Sequence, residues 1–140
     1  MAAHPFDIDA FLAEPLTARL ATNGPTIRPV WYQWDDGVFW LMTGPWTKLA
    51  ERLESDPEIA LVVDVCELDT GRILQVVALG AAELLPWDYD RGRQLLARYL
   101  GPDERSWPET YREYMAVPPM EGLILMRLDP RALRALDYSG

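Results

Sequence analysis

Residues 17–23, TARLATN, alternate in character: Ala18, Leu20 and Thr22 face one way and Thr17, Arg19 and Ala21 the other, the period of a half-buried strand. Asn23-Gly24 is a turn signal, and the β-branched and aromatic run IRPVWYQW (27–34) reads as the return strand of a hairpin. Pro29 removes a ladder donor from that strand, which places it at an edge or a bulge. Asp35-Asp36-Gly37 turns the chain into a third strand, VFWLMT (38–43). The period then changes. Trp46, Leu49, Ala50 and Leu53 lie three or four apart and predict a helix over 46–55, ended by Asp56-Pro57. IALVVDVCEL (59–68), with the lone Asp64, has the near-continuous apolar character of a strand buried on both faces. ILQVVALGAAELL (73–85) is a long strand whose Gly80-Ala81-Ala82 suggests a bend or bulge at a barrel corner. DIDAFLAEP (7–15) predicts a short opening helix, with Ile8, Phe11 and Leu12 on one side and Pro15 closing it, and a helix is predicted over 88–100, with Leu95, Leu96, Tyr99 and Leu100 turned inward. A further helix opens on a capping box, Ser106-x-x-Glu109, with Pro108 in its first turn. GLILMRL (122–128) is the last strand, and PRALRALDYSG is a tail.

Three strands, a helix, two strands, helices and a strand follow one another, joined largely by short turns. Six such strands pair antiparallel and predict a mainly β fold with peripheral helices: a small six-stranded barrel, closed or partly open, in a single domain over 1–140.

Composition narrows the function. The net charge is −9, which argues against non-specific binding of nucleic acid or anionic membranes, since both need clustered Lys and Arg. No apolar run approaches the roughly 20 residues of a membrane span. Asp7 and Asp9 stand where a signal peptide would be apolar. The single cysteine, Cys66, forms no internal disulfide and fits a reducing cytoplasm; it reads as a small core residue. The single histidine, His4, leaves no basis for a His/Cys metal site or a Ser-His-Asp triad.

One residue stands out against this background. Lys48 is the only lysine, and the predicted helix places it in a first turn beside Thr47. Free N–H groups, the positive dipole end, an ammonium and a hydroxyl together suit an anion; an ordinary solvated lysine is the alternative. Trp31, Trp34 and Trp40 fall close together, where a planar ring could stack; Trp34 and Trp40 read better as core or interface aromatics. Arg19 and Arg28 could fork onto a phosphate or lie on the surface. Asp64 could be a perturbed acid, or a group bonded to neighbouring backbone. Gln75 could bond a ring carbonyl, or be an edge residue. Trp107, Tyr111, Tyr114 and Met115 form a packing stripe over the barrel or across a dimer.

Three pieces in order, FLAEPLTARLATNGPTIRPVWYQWDDGVFWLMTG, KLAERLESDPEIALVVD and QVVALGAAELL, resemble the pyridoxamine 5′-phosphate oxidase-like family of flavin-binding split β-barrels. The resemblance covers nearly the whole chain. It implies a homodimer with cofactor sites between subunits, binding flavin mononucleotide (FMN) or the deazaflavin coenzyme, or in some members no known cofactor. It puts Pro29, Val30, Trp31 and Tyr32 beside the cofactor ring. Leu41, Met42 and Thr43 would offer main-chain groups to the ring's polar edge, and Thr47 and Lys48 would approach the phosphate. Tyr32 is then the candidate proton donor. The chain departs from the family pattern at Trp46, where relatives carry a polar or basic residue, and at Arg52-Leu53, where many have Asn-Leu. A second basic residue is missing from this region. The expected activity is a flavin- or deazaflavin-dependent oxidoreductase acting on a small molecule; the alternative is a non-redox split barrel that binds a small ligand or only itself.

Overall fold

A computed structural model describes residues 3–140. It is mainly antiparallel β with peripheral helices, as expected, but it has eight strands where six were predicted. In chain order they are β1 (Ala18–Thr22), β2 (Thr26–Val30), β3 (Gln33–Asp35), β4 (Val38–Thr43), β5 (Glu58–Glu67), β6 (Arg72–Pro86), β7 (Ile124–Leu128) and β8 (Ala132–Asp137). Hydrogen bonding runs β2-β1-β5-β6-β7-β4-β3, and β8 pairs with β6. The two ends of this path, β2 and β3, are joined only by Trp31 and Tyr32, which belong to no strand. The barrel is therefore split at this point.

The split divides the run 27–34 that alternation alone reads as one strand. Its backbone is held instead by two side chains of α3 (Tyr89–Leu100). The Tyr32 N–H donates to the Tyr99 hydroxyl at 3.1 Å, and Arg98 Nε donates to the Tyr32 carbonyl at 3.0 Å. Buried main-chain groups need partners, and here they come from residues distant in sequence rather than from a strand. Arg98 also donates to the carbonyls of Ala13 and Glu14, at 3.1 and 3.0 Å, just past the end of α1 (Ile8–Leu12). Pro29 lies on β2, the terminal strand of the path, where a missing donor costs nothing.

β6 carries the rest of the topology. Its first part pairs with β5 on one side and β8 on the other; beyond Gly80 it pairs with β7. A Cβ at Gly80 would lie 2.8 Å from Leu128 Cδ1 and 3.3 Å from both the Arg131 nitrogen and the Asp129 oxygen. The β7–β8 connection thus crosses directly over this glycine, which is the corner expected at Gly80-Ala81-Ala82. Gln75 pairs with both Asp64 and Leu136, so it sits on a central strand and not at an edge. The tail expected after 128 is β8, whose Leu133 and Ala135 pack on the core.

The core fills the barrel with Leu20, Phe39, Leu41, Leu61, Val63, Val76 and Leu128 among others, and α2 (Leu49–Ser55) inserts Leu49 and Leu53. A second cluster, Leu96, Trp107, Tyr114 and Leu123, packs α3 against the segment after it. That segment is not one helix. It is a 3₁₀ turn (Glu104–Ser106), α4 (Glu109–Arg112) and a second 3₁₀ turn (Glu113–Met115). The predicted capping box does not form: Pro108 occupies the N-cap of α4 without a side-chain cap, and Ser106 Oγ donates to the Asp103 carbonyl at 2.7 Å. Cys66 is exposed, on the outward face of β5, rather than in the core. Among the described residues, no helix is long and apolar enough to cross a membrane.

Candidate functional site

The split opens a cleft of about 380 Å³. Pro29, Val30 and Trp31 line it from the end of β2, Met42 from β4, Trp46 from the loop before α2, Leu95 and Leu96 from α3, and Tyr111 and Tyr114 from the α4 segment; Thr17 completes it. Among the described residues, no charged side chain lines this cleft.

Two unpaired sheet edges face each other across the break. β2 pairs only with β1, so its other edge is free along Thr26–Val30. β3 pairs with β4 only as far as Gln33↔Trp40, while β7 pairs with β4 from Phe39 to Thr43. Leu41, Met42 and Thr43 therefore extend beyond β3 and have strand partners on one side only. Period-two alternation sends the side chains of Leu41 and Thr43 into the barrel and that of Met42 toward the cleft. What this edge can offer a ligand is main-chain N–H and C=O groups. The Thr43 hydroxyl is buried and has no partner, and neither has the buried Nε of Arg28.

The polar corner of the site lies where the loop before α2 meets β2. Arg28 Nη1 donates to Thr47 Oγ1 at 2.7 Å, and Nη2 donates to Thr26 Oγ1 at 3.2 Å. Thr47 Oγ1 also accepts the Leu49 N–H, at 3.3 Å. Lys48 is exposed and makes no cap hydrogen bond. Its backbone, at φ −94° and ψ 15°, occupies the N-cap of a seven-residue helix and not a first turn. Any attraction for an anion here rests on the Lys48 and Arg28 side chains, not on a helix dipole.

The pyridoxamine 5′-phosphate oxidase family profile matches residues 7–135. The chain belongs to that family. No curated protein matches it. Among solved structures it is similar to a conserved hypothetical protein from Mycobacterium tuberculosis, with 22% identity, a TM-score of 0.74, and coverage of 98% of this chain and 88% of that one. It is similar to an F420 reductase, with 22% identity, a TM-score of 0.64, and coverage of 92% and 97%. It is also similar to an FAD-binding protein from Mesorhizobium loti, with 19% identity, a TM-score of 0.58, and coverage of 90% and 89%. At these identities the likeness is one of fold.

Of the residues that the family resemblance selects, the cleft brings together the side chains of Pro29, Val30, Trp31 and Met42. Thr47 sits beside Arg28 at the polar corner, and Lys48 follows it on the surface. Tyr32 is a correction. Its side chain is fully buried in the barrel, its hydroxyl donates to the Glu14 carbonyl at 2.9 Å, and burial drives its pKa far above the ordinary phenol value. A proton held that firmly, away from the cleft, is not available to a ligand in it.

The Trp31 indole stacks on Tyr99, with centroids 4.4 Å apart and planes 4° apart, and on Tyr111, at 5.3 Å and 16°. Its ring surface is thus occupied by protein, and it offers the cleft its edge. Trp34 packs on Phe39 and donates Nε1–H to Asp9 at 2.7 Å; Trp40 lies under the Arg91 guanidinium at 4.3 Å. Both are structural. Arg19 is paired with Asp64 at 2.6 Å on the outer sheet face, which accounts for both residues.

Sequence reasoning missed Tyr111, Tyr114, Leu95 and Leu96 as cleft residues, assigning all four to packing. It also missed the meeting of Arg28 and Thr47, although their types were a usable signal: a half-buried arginine on a strand next to a threonine-bearing loop. Burial, and secondarily the neighbouring Tyr111, raises the pKa of Tyr114, so its hydroxyl stays neutral.

Proposed function

We propose that this chain is an oxidoreductase that holds a flavin-type cofactor, FMN or the deazaflavin coenzyme, in the split, and acts on a small molecule as a homodimer. The observation that carries the reading is the open edge of β4 at Leu41–Thr43, facing β2 across an apolar cleft with Arg28, Thr47 and Lys48 at its corner. A planar, largely apolar ring with polar atoms along one edge and an anionic tail needs these three things. Arg28 supplies from β2 the second cation that the sequence around the helix lacks. The partnerless Nε of Arg28, at the polar corner, is a buried polar group of the kind a ligand satisfies. Family membership and the resemblance to an F420 reductase and an FAD-binding protein support a flavin-type group over any other.

The cofactor supplies the two-electron chemistry; the protein binds and orients it and keeps water from its ring. Pro29, Val30 and Met42 form the apolar surface that excludes water. The main chain of Leu41–Thr43 fixes the ring's orientation, and Lys48 and Arg28 hold negative charge at the corner. In a protein of net charge −9 these local cations also offset the general repulsion of an anion. Among the described residues, the titratable side chains lining the cleft are those of Tyr111 and Tyr114, so protons are exchanged with solvent or through those hydroxyls.

The test is an absorbance or fluorescence titration of FMN and of the deazaflavin coenzyme against the wild type, Lys48→Ala and Lys48→Arg. One of the two should bind. Lys48→Ala should weaken it about 10- to 150-fold, the value of one charge-assisted contact of about 1.5–3 kcal/mol. Lys48→Arg should retain part of the affinity, and added salt should lower it. Equal binding by Lys48→Ala would remove the anion from this corner. Binding of neither cofactor by the wild type would leave the non-redox ligand-binding barrel as the function.

A further inference from the structure

One wall of the cleft is a segment that the rest of the fold holds lightly. Residues 108–121 comprise α4, the second 3₁₀ turn and the chain leading toward β7, and their Tyr111 and Tyr114 face the cleft. The main-chain bonds of this segment close on itself. The Tyr111 and Arg112 N–H groups donate to the Pro108 carbonyl at 3.0 and 3.2 Å, and the Ala116 N–H donates to the Glu113 carbonyl at 3.2 Å. Arg112 Nε reaches only the adjoining Trp107 carbonyl, at 3.1 Å. Among the described residues, no side chain of 108–121 enters an ion pair, and only Tyr114 is buried. Between its ends, one hydrogen bond ties the segment to the body of the fold: the Tyr89 hydroxyl, on α3, donates to the Ala116 carbonyl at 2.6 Å. Rings supply further contact, Tyr111 on Trp31 and Tyr114 on Trp46, the latter with centroids 5.5 Å apart and planes at 32°. Met115 and Met120 pack, half-buried, against the second cluster. Both ends are fixed. Trp107 is 2% exposed and donates Nε1–H to the Gly101 carbonyl at 2.8 Å, and Leu123 is buried. Gly122, at φ 85°, gives the far end a backbone pivot.

From this construction we propose that residues 108–121 are a flap that opens to admit a ligand to the cleft, with the Tyr89–Ala116 hydrogen bond as its latch. A segment with fixed ends, little buried surface and one bond to the body belongs to the part of a fold that opens locally at low cost. Opening lifts Tyr111 from Trp31 and Tyr114 from Trp46. It thereby uncovers the indole face that Tyr111 occupies and widens the cleft for a planar group. Closing returns both phenols and shuts out water. Ala116 is exposed, so water replaces the phenol when the latch parts, and the cost is that of one solvated hydrogen bond. Tyr89 does not line the cleft, so its removal alters the gate and not the wall. The latch is shut both before a ligand enters and after the flap closes over it. Its loss therefore raises the open fraction of the free and the loaded protein equally, which speeds entry and exit and leaves Kd unchanged. The inference rests on the proposed function only for the identity of the ligand.

The experiment compares the wild type with Tyr89→Phe, which keeps the ring against Trp87 and removes only the hydroxyl. Circular dichroism checks that the fold is kept. The first measurement is hydrogen exchange of the cofactor-free protein, read by mass spectrometry. In the wild type the amides of 108–121 should exchange faster than those of β5 and β6, by roughly 10-fold or more. In Tyr89→Phe they should exchange about 2- to 10-fold faster again, the worth of one hydrogen bond, with β5 and β6 unchanged. The second measurement is stopped-flow mixing with FMN and with the deazaflavin coenzyme. For whichever binds, the on-rate and the off-rate should both rise in Tyr89→Phe by that same factor, with Kd unchanged. A tyrosine that merely braced the wall would weaken binding through the off-rate alone. Flap amides as slow as those of β5 and β6, or an on-rate in Tyr89→Phe equal to that of the wild type, overturns the proposal. Should neither cofactor bind, the oxidoreductase reading fails and exchange alone decides the flap: faster exchange across 108–121 in Tyr89→Phe upholds the latch, and unchanged exchange refutes it.

Discussion

Tyr32 marks the limit of residue-by-residue inference in this barrel. Chemically it is the cleft region's candidate acid, but the main-chain break that creates the cleft turns this side chain inward, where it makes an edge-to-face contact with Phe39 at 5.8 Å. Its environment makes a different prediction. The pKa is raised, first by burial and then by the neighbouring Tyr99 phenol. The unfolded chain releases this proton near 10.0, whereas the folded protein retains it above that pH. Above pH 10 the unfolded state therefore binds fewer protons, so stability should be flat below about pH 10 and fall beyond it. Each such proton contributes a slope of at most about 1.4 kcal/mol per pH unit. Tyr99, raised in pKa chiefly by burial as well, adds to the same limb. Tyr32→Phe should cost about 1 kcal/mol at neutral pH, the low end for a buried hydrogen bond, because the Glu14 carbonyl keeps its Arg98 donor. In return, the alkaline fall should become shallower. Denaturant midpoints of both proteins from pH 7 to 11.5 measure this; parallel curves would show that Tyr32 does not hold its proton.

At the scale of the elements, alternation and turn chemistry made β1, β4, β6 and β7 legible, because each ends at a Gly, Asp or Pro signal; β5 was legible from its apolar run, but it buries one face only, through Ile59, Leu61 and Val63, where both faces were expected to be buried. The Asp36-Gly37 turn is an instance: both residues have positive φ, 52° and 78°, as the two-residue hairpin between β3 and β4 requires. What was not legible depends on partners far away in the chain. Nothing in VWYQW announces that Tyr99 and Arg98 will replace a strand partner at Tyr32. Nor does ALRALD reveal that β6 has a free edge for β8 to fill. The helix at 106–109 failed locally: Asp103 accepts the Arg105 N–H at 3.1 Å and starts a 3₁₀ turn that takes Ser106 before it can cap. In the site, the residues on β2 and β4 could be chosen by family resemblance, but which of them face the cleft is set by the pleat, and the aromatic wall by an irregular segment with no period at all. The corner at Gly80 is the element-scale prediction. A methyl there meets the buried Leu128 and the backbone of Asp129 and Arg131, which cannot all move aside. Gly80→Ala should destabilise the fold by about 1–3 kcal/mol, the range for overpacking a filled interior. An unchanged melting temperature would mean that β7–β8 does not cross this strand so closely.

For the whole molecule, the decisive surface is the outer face of the β2-β1-β5-β6-β8 sheet. Reading across the register, Ile27, Ala21, Ala60, Leu79 and Ala132 form one row, apolar on all five strands. At about 4.8 Å per strand this is an apolar band about 19 Å long. The next row is Pro29, Arg19, Val62, Val77 and Arg134, so the face grades from apolar to charged along the strands. Ile27 is 69% exposed and Leu79 40%. A contiguous exposed band of this kind marks an association surface, and in a twofold homodimer the same band meets its own copy. Pro29 belongs both to this face and to the cleft, so pairing the faces would bring a second subunit to the rim of the proposed cofactor site. Light scattering or sedimentation at micromolar concentration should give a mass near twice 16.0 kDa. Two chains of net charge −9 repel, so moderate salt should tighten the dimer while it weakens the binding of an anionic cofactor. Ile27→Asp places a carboxylate in the band twice per dimer and should shift the protein to monomer without unfolding it, since the position is exposed. If cofactor binding needs the second subunit, the same variant loses cofactor affinity although Lys48, Arg28 and the β4 edge are intact. A wild-type chain that is monomeric at these concentrations would refute the paired face. A monomeric Ile27→Asp that binds cofactor as tightly as the wild type would confine the site to one subunit.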